Sequence, residues 1–322
     1  MRAIVLGEGG SLDEREVQTP EPGIDQVRVR VRATAVNRAD LVQRAGGYPA
    51  PPDAPADILG LEYAGEIDAL GPGVTALAVG DRVFGLVGGG SYAEHVVVHQ
   101  RALARMPRSL SFEQAAALPE ACITAYDAMV VQARLGAGEW VLVHAAGSGV
   151  GTAALQIAKA IGARALATVR SASKAEALRA LGAEAVLVVN DAQFAEQVYE
   201  HAPAGVQVVL ELVGGAYVAE DLRAVCKKGR VVLVGLVGGR RAELDLGLLL
   251  QKRVELRGTV LRARPLEERI LAHQLLQEHL LPLIEAGAIQ PVIDRVMPLA
   301  EAAAAHERMR DNAGTGKIVL TV

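Results

Sequence analysis

The sequence predicts an α/β protein: a doubly wound parallel sheet set into a β-rich second domain. Three observations point there. From Gly136 onward, short apolar runs alternate with Ala- and Leu-rich helical stretches, the rhythm of strands joined by crossover helices. A glycine-rich turn, Ala145-Ala-Gly-Ser-Gly-Val-Gly151, joins one such run to a helix. The residues before Gly136 instead read as short extended pieces cut by Gly and Pro clusters.

Composition sets the frame for these elements. A chain of 322 residues is about twice the common domain size, so two domains are expected. With 51% apolar and 22% charged residues it has ordinary globular composition. A net charge of -4 gives no electrostatic reason to seek nucleic acid or an anionic membrane. Cys122 and Cys226 are the only cysteines, which excludes both a disulfide framework and a four-cysteine zinc lobe. Each thiol reads as a small core residue in a reducing compartment. The start lacks the charged-then-apolar pattern of a signal peptide, and no run approaches the roughly 20 apolar residues of a membrane span. The expected address is the cytoplasm.

Residues 1–122 form the first region. In Val27-Arg-Val-Arg-Val-Arg, apolar and basic residues alternate with period two, and Glu94-His-Val-Val-Val-His is a second extended piece. Gly46-Gly-Tyr-Pro-Ala-Pro-Pro, Gly71-Pro-Gly and Gly88-Gly-Gly supply turns and long loops. Residues 123–261 hold six candidate strands: 140–144, 163–168, 185–189, 206–212, 230–234 and 254–261. They do not alternate, so both faces are buried, as in the parallel sheet of a Rossmann domain. Between the first two, Val150 to Ile161 reads as a helix closed by Gly162. Residues 262–322 begin with a long helical stretch from Pro265 to about Ala286. An extended piece from Val292, a helix from about Ala300 to Arg310 and the strand Lys317-Ile-Val-Leu-Thr-Val follow. This tail is expected to return and complete the first domain.

The turn after the first Rossmann strand matches a dinucleotide fingerprint in context. Glycines let backbone amides approach a pyrophosphate, and the helix N-terminus adds partial positive charge. If Gly151 is the third glycine, Ala146 and Ser148 hold the first two positions, so the motif is a variant. The second strand runs into Arg170-Ser171-Ala-Ser-Lys174, with no carboxylate before Glu176. An NAD site needs an acid there for the ribose hydroxyl, whereas two cations and serine hydroxyls suit a 2′-phosphate. The expected cofactor is NADPH.

Several segments together resemble the medium-chain dehydrogenase/reductase superfamily, in its zinc-independent quinone oxidoreductase (zeta-crystallin-like) branch. They are Ala35-Val-Asn-Arg-Ala-Asp-Leu, Leu59-Gly-Leu-Glu-Tyr-Ala-Gly, Gly80-Asp-Arg-Val-Phe-Gly-Leu, Gly90-Ser-Tyr-Ala-Glu, Leu118-Pro-Glu-Ala-Cys-Ile-Thr-Ala-Tyr, the glycine turn and Gly314-Thr-Gly-Lys-Ile-Val-Leu. The resemblance implies a GroES-like catalytic domain, split between the N-terminal part and the tail, with the Rossmann domain inserted and the cofactor in the cleft. It also implies a homodimer in which residues 254–261 pair with their symmetry mate, an outlet for an unpaired sheet edge.

By the same resemblance, relatives that hold catalytic zinc would place its ligands at Asn37, Leu61 and Glu120. An amide and an aliphatic chain cannot replace thiolate and imidazole, so no metal is expected and alcohol oxidation is disfavoured. His95 and His99 read as sheet or surface residues, and His144 as a buried hydrogen-bonded one. Carried over by motif, Asn37 and Tyr48 would line the catalytic pocket, Asn37 donating to a carbonyl oxygen and Tyr48 stacking or donating. Thr124 would contact the nicotinamide end; Ala146, Ser148, Gly149, Val150 and Gly151 the pyrophosphate; Arg170, Ser171 and Lys174 the 2′-phosphate. Asn312 would close the cleft.

The expected reaction is metal-free hydride transfer from NADPH to a quinone, whose conjugated ring spreads the incoming charge. A reductase of activated carbon-carbon double bonds is the nearest alternative, with Tyr48 as proton donor. A non-catalytic NADPH-binding protein with an RNA-binding side role is the reading from another class, and the acidic balance argues against it.

Overall fold

The computed structural model describes residues 1–322, which divide into two compact units. One comprises Met1–Ile123, Leu261–Gly287 and Pro291–Val322; the other comprises Thr124–Val260 and Ala288–Gln290. In chain order the first unit opens with the hairpin β1 (Arg2–Leu6) and β2 (Leu12–Glu16). It continues with β3 (Gln26–Val36), β4 (Glu62–Leu70), β5 (Arg82–Leu86), β6 (His95–His99) and β7 (Ala104–Arg105). The second unit carries β8 (Trp140–Val143), β9 (Arg164–Val169), β10 (Ala183–Val188), β11 (Val206–Glu211), β12 (Val225–Leu233) and β13 (Glu255–Gly258). The tail adds β14 (Ile293–Pro298) and β15 (Lys317–Thr321) to the first.

In the first unit, β14-β15-β3-β4-β5-β7 form one sheet, with β6 also paired to β3. β3 is its spine. Val27, Val29 and Val31 are buried while Arg30 and Arg32 face water, as the alternation requires. From Ala33 to Val36 every residue is buried, so the strand passes from half-exposed to fully enclosed just before Asn37. β15 lies antiparallel against that enclosed end, Ile318 opposite Val36. The long stretch expected as one helix is Leu266–Leu275, a wider turn Leu276–Leu280, then Leu281–Glu285. Pro282 explains the break, because a proline inside a helix removes an amide donor and crowds the preceding turn.

The second unit is a six-stranded sheet in the order β10-β9-β8-β11-β12-β13, every pair parallel. That is the doubly wound order, and it reverses direction at β8, where ligands of such sheets bind beyond the strand ends. Helix Gly149–Ala160 follows β8 and ends before Gly162, whose φ of 75° only glycine adopts without strain. Two boundaries differ from expectation. β12 starts at Val225 rather than Arg230, reaching back through Lys228, which sits in the left-handed region at φ 62°. The expected strand over residues 254–261 is only Glu255–Gly258, an exposed edge strand. No helix is long and apolar enough to cross a membrane.

Candidate functional site

The glycine turn is built by local chemistry. Ala145 leaves β8 in the left-handed region, at φ 45°, a conformation costly for a residue with a Cβ and commonest at functional turns. Ala146 is fully buried and its amide donates to the Thr168 carbonyl at 3.1 Å, tying the turn to the end of β9. Ser148 is the helix N-cap, its Oγ accepting from the Gly151 amide at 3.0 Å. Gly149 and Val150 thus open the helix, where amides lack intrahelical partners.

Lys174 crosses this turn: a Cβ added at Gly147 would stand 3.0 Å from its Cδ and 3.4 Å from its Nζ. Arg170 follows β9 directly, and Ser171 caps the short helical turn Ala172–Lys174. The structure therefore brings the glycines, Ser171 and Lys174 together at neighbouring strand ends. A helix N-terminus, a turn with room for backbone approach and a lysine across it fit the phosphates of a dinucleotide.

Beneath the turn lies a closed polar cluster. His144, Glu211 and Asp221 are fully buried, with their polar atoms within 4.8 Å of one another. His144 Nε2 pairs with Asp221 Oδ1 at 2.8 Å and Nδ1 with Thr168 Oγ1 at 2.9 Å. Glu211 Oε1 accepts from the amides of Val213 and, at 2.8 Å, Gly214. Burial pushes both carboxyls well up and the imidazole down. Glu211 Oε2 and Asp221 Oδ2 have no other partner, which accords with one carboxylic proton held between them. This enclosed, hydrogen-bonded cluster braces the ends of β8, β9 and β11. The expectation of a buried, hydrogen-bonded His144 matches this geometry.

In the first unit, the enclosed end of β3 delivers Asn37 to a second constellation. Lys317 is 4% exposed and its ammonium is saturated by oxygen: Asn37 Oδ1 at 2.5 Å, Glu62 Oε1 at 2.7 Å and the Val36 carbonyl at 2.9 Å. Glu62 is fully buried; Oε1 also accepts from Asn37 Nδ2 at 2.8 Å, and Oε2 from the Glu120 amide at 2.8 Å. Asp40 accepts from the amides of Asn37 and Gly60 and from the Tyr92 hydroxyl, which also meets His306. Burial raises the Asp40 carboxyl to about 6 against those hydrogen bonds. Burial, helped by Glu62, pushes the Cys122 thiol up to about 12, leaving an inert core thiol.

Tyr48 lies half-buried beside this network. Arg262 donates to its backbone carbonyl at 3.2 Å, and the guanidinium carbon stands 5.2 Å from the ring centroid.

One expected role changes: Asn37 is expected to donate to a substrate carbonyl, but Nδ2 donates to Glu62 and, at 3.2 Å, to the Ala35 carbonyl, so its amide hydrogens are engaged within the protein. Asn312, expected to close the cleft, ends helix Ala302–Asp311 in the left-handed region, and its Oδ1 accepts from Arg38 at 2.6 Å. Thr124 is buried. Sequence reasoning missed Lys317, although its motif was noted, and Arg262, which no local pattern marks.

The zinc positions do not fit a metal. Asn37 and the aliphatic Leu61 stand where thiolate and imidazole are needed, and a fixed ammonium lies within hydrogen-bond reach of both Asn37 and Glu62. His95 instead pairs with Asp68 at 3.0 Å.

Comparison with known proteins gives two family matches: alcohol dehydrogenase GroES-like domain over residues 23–108 and zinc-binding dehydrogenase over residues 149–278. The quinone oxidoreductase of Pseudomonas aeruginosa is 36% identical over 96% of this chain and 95% of its own length. The chain is 40% identical to a stretch of polyketide synthase GfsB of Streptomyces halstedii, covering 92% of this chain but only 5% of that protein. Among solved structures, the quinone oxidoreductase of Pseudomonas syringae superposes with a TM-score of 0.87 at 32% identity, covering 100% of this chain and 99% of that one. A mycobacterial protein complexed with NADPH superposes with a TM-score of 0.88 at 30% identity, covering 100% of both chains.

Proposed function

The chain belongs to the medium-chain dehydrogenase/reductase superfamily, whose quinone oxidoreductases it matches along nearly its whole length, and from that premise we propose an NADPH-dependent quinone oxidoreductase that works without metal. The observation that carries this reading is the exchange of zinc ligands for the Asn37–Lys317–Glu62 network, which neutralises its own cation and leaves no Lewis acid to hold an alkoxide. Bound NADPH would supply the hydride. The protein's part is then to bind, orient and shelter: Ser148 and the turn amides at the pyrophosphate, Arg170, Ser171 and Lys174 at the 2′-phosphate, and Tyr48 beside the acceptor.

An oxidation screen over benzoquinones, naphthoquinones, enals and enones tests the reading. Quinone turnover should persist in a chelator; chelator-sensitive alcohol oxidation would end it. NADPH should be preferred over NADH, and Lys174→Glu should erode that preference in kcat/KM roughly ten- to a hundredfold, the worth of a charged hydrogen bond. An unchanged ratio would remove Lys174 from the site.

A reductase of activated double bonds is the second reading, favoured by the Tyr48 hydroxyl, which takes no partner from the protein and is available for proton delivery. Higher kcat/KM for an enone than for any quinone would select it. The enzyme is further proposed to be a cytoplasmic homodimer. β13 is an edge strand with one side unpaired, and Leu246 and Leu250 in the helix before it and Val260 just after it are more than half exposed. Sedimentation showing a monomer at micromolar concentration would refute the pairing.

A further inference from the structure

The first unit encloses two cations in its polar network, and they differ in one respect. Lys317 is neutralised by Glu62 at 2.7 Å. Arg262, 7% exposed, donates to the Gly88 carbonyl at 2.6 Å, to Gln43 Oε1 at 2.7 Å and to the Tyr48 carbonyl, all neutral oxygens. No carboxylate accepts from this guanidinium directly, although Asp40 and Glu120 face it, so its burial is only partly offset, a situation commonly met at a functional site. The same guanidinium lies over the Tyr48 ring and pins the loop that carries it.

We propose that Arg262 is the positioning residue that lets Tyr48 serve as proton donor, by fixing the ring and by favouring the phenolate left when the phenol gives up its proton. This rests on the reduction of a conjugated carbonyl proposed above. In that step Tyr48 breaks its O–H bond and passes the proton to the acceptor oxygen, where negative charge collects as hydride arrives. The resulting tyrosinate regains a proton from water, so acceptor, NADPH and one proton give reduced acceptor and NADP+. Arg262 thus supplies the charge compensation that a metal would give elsewhere, displaced from the oxygen by one side chain.

The Tyr48 phenol stands above its ordinary value: burial raises it first, Glu120 raises it further, and Arg262 works against both without reversing them. For Arg262, burial weakens its hold on its proton, and Asp40, Tyr48 and Glu120, which face it, oppose that.

Incorporation of 3-fluorotyrosine, with the Tyr48 signal assigned by its loss in Tyr48→Phe, lets fluorine NMR follow the phenol's ionisation directly. Arg262→Met should raise the midpoint by about one to two pH units, and Arg262→Lys should raise it less. In turnover, Arg262→Met should lower kcat roughly ten- to a hundredfold with little change in KM for NADPH, and should add nothing to the loss in Tyr48→Phe. An unmoved Tyr48 midpoint in either folded variant, or losses that simply add, would overturn the proposal. Should Arg262→Met not fold, Arg262→Lys carries the same test, because a lysine cannot serve the three acceptors with the same planar fork. If the wild-type protein reduces no conjugated carbonyl, the functional reading fails, and the NMR titration still decides whether Arg262 governs Tyr48.

Discussion

Lys317→Met should lower the stability of the protein by about 3–5 kcal/mol, the cost of breaking a buried ion pair from one side. Methionine keeps the length of the side chain but leaves Glu62 fully buried with no counter-charge, and leaves Asn37 Oδ1 and the Val36 carbonyl without their donor. Two of these acceptors lie at the end of β3, and Glu62 opens β4, so the loss falls where three strands and the Glu120 amide meet. Glu62→Gln/Lys317→Met removes both charges, and most of the lost stability should return, since neutral replacements of a buried pair are often tolerated. Denaturant unfolding of the two single variants and the double closes the cycle. A Lys317→Met protein within about 1 kcal/mol of wild type would mean that Glu62 readily reaches water or a proton, and the network would not be the rigid element described.

The pair also marks where sequence reading stops. The alternation of Val27 to Arg32 and the unbroken apolar runs after Gly136 reveal strands because each pattern is complete within a few residues. The turn at Ala145–Gly151 is legible for the same reason, and Ser148, which breaks the glycine pattern, proves to be a helix cap. The sequence places the start of β12 too late because Cys226-Lys-Lys-Gly carries charge and a glycine, features of loops, yet that start is held beside β11 across a register shift between Val206 and Val208. Nothing local joins Lys317 to Asn37, 280 residues apart, or Arg262 to Gln43, 219 apart. These contacts exist only because the tail returns to the first sheet. A close relative's motif can show that such residues recur together, but only the fold shows which oxygen each cation meets. Asn37 illustrates the difference: its motif pointed to a substrate-facing amide, and the structure spends that amide on Glu62.

Gly151→Ala should abolish dinucleotide binding, whereas Gly147→Ala should only change which dinucleotide binds. A Cβ at Gly151 would stand 2.6 Å from Ala146 Cα and 2.7 Å from its carbonyl carbon and oxygen. These are backbone atoms of the buried turn, so either the helix moves away from β8 or the turn unwinds, and the Ser148 cap and the opening amides go with it. A displacement near 1 Å in a site built on backbone positions is enough to cost on the order of a hundredfold. At Gly147 the nearest atoms belong to the flexible end of Lys174, which can swing aside and so leave the turn intact while withdrawing the cation from the 2′-phosphate. Titration of both variants with NADPH and NADH, followed by nucleotide fluorescence, separates the outcomes. Gly151→Ala should bind neither, with the dissociation constant raised by about two orders of magnitude or more. Gly147→Ala should keep NADH and lose part of its advantage for NADPH. Equal, undiminished binding by Gly151→Ala would show that the phosphates do not rest on this turn, and the assignment of the cofactor site would have to move.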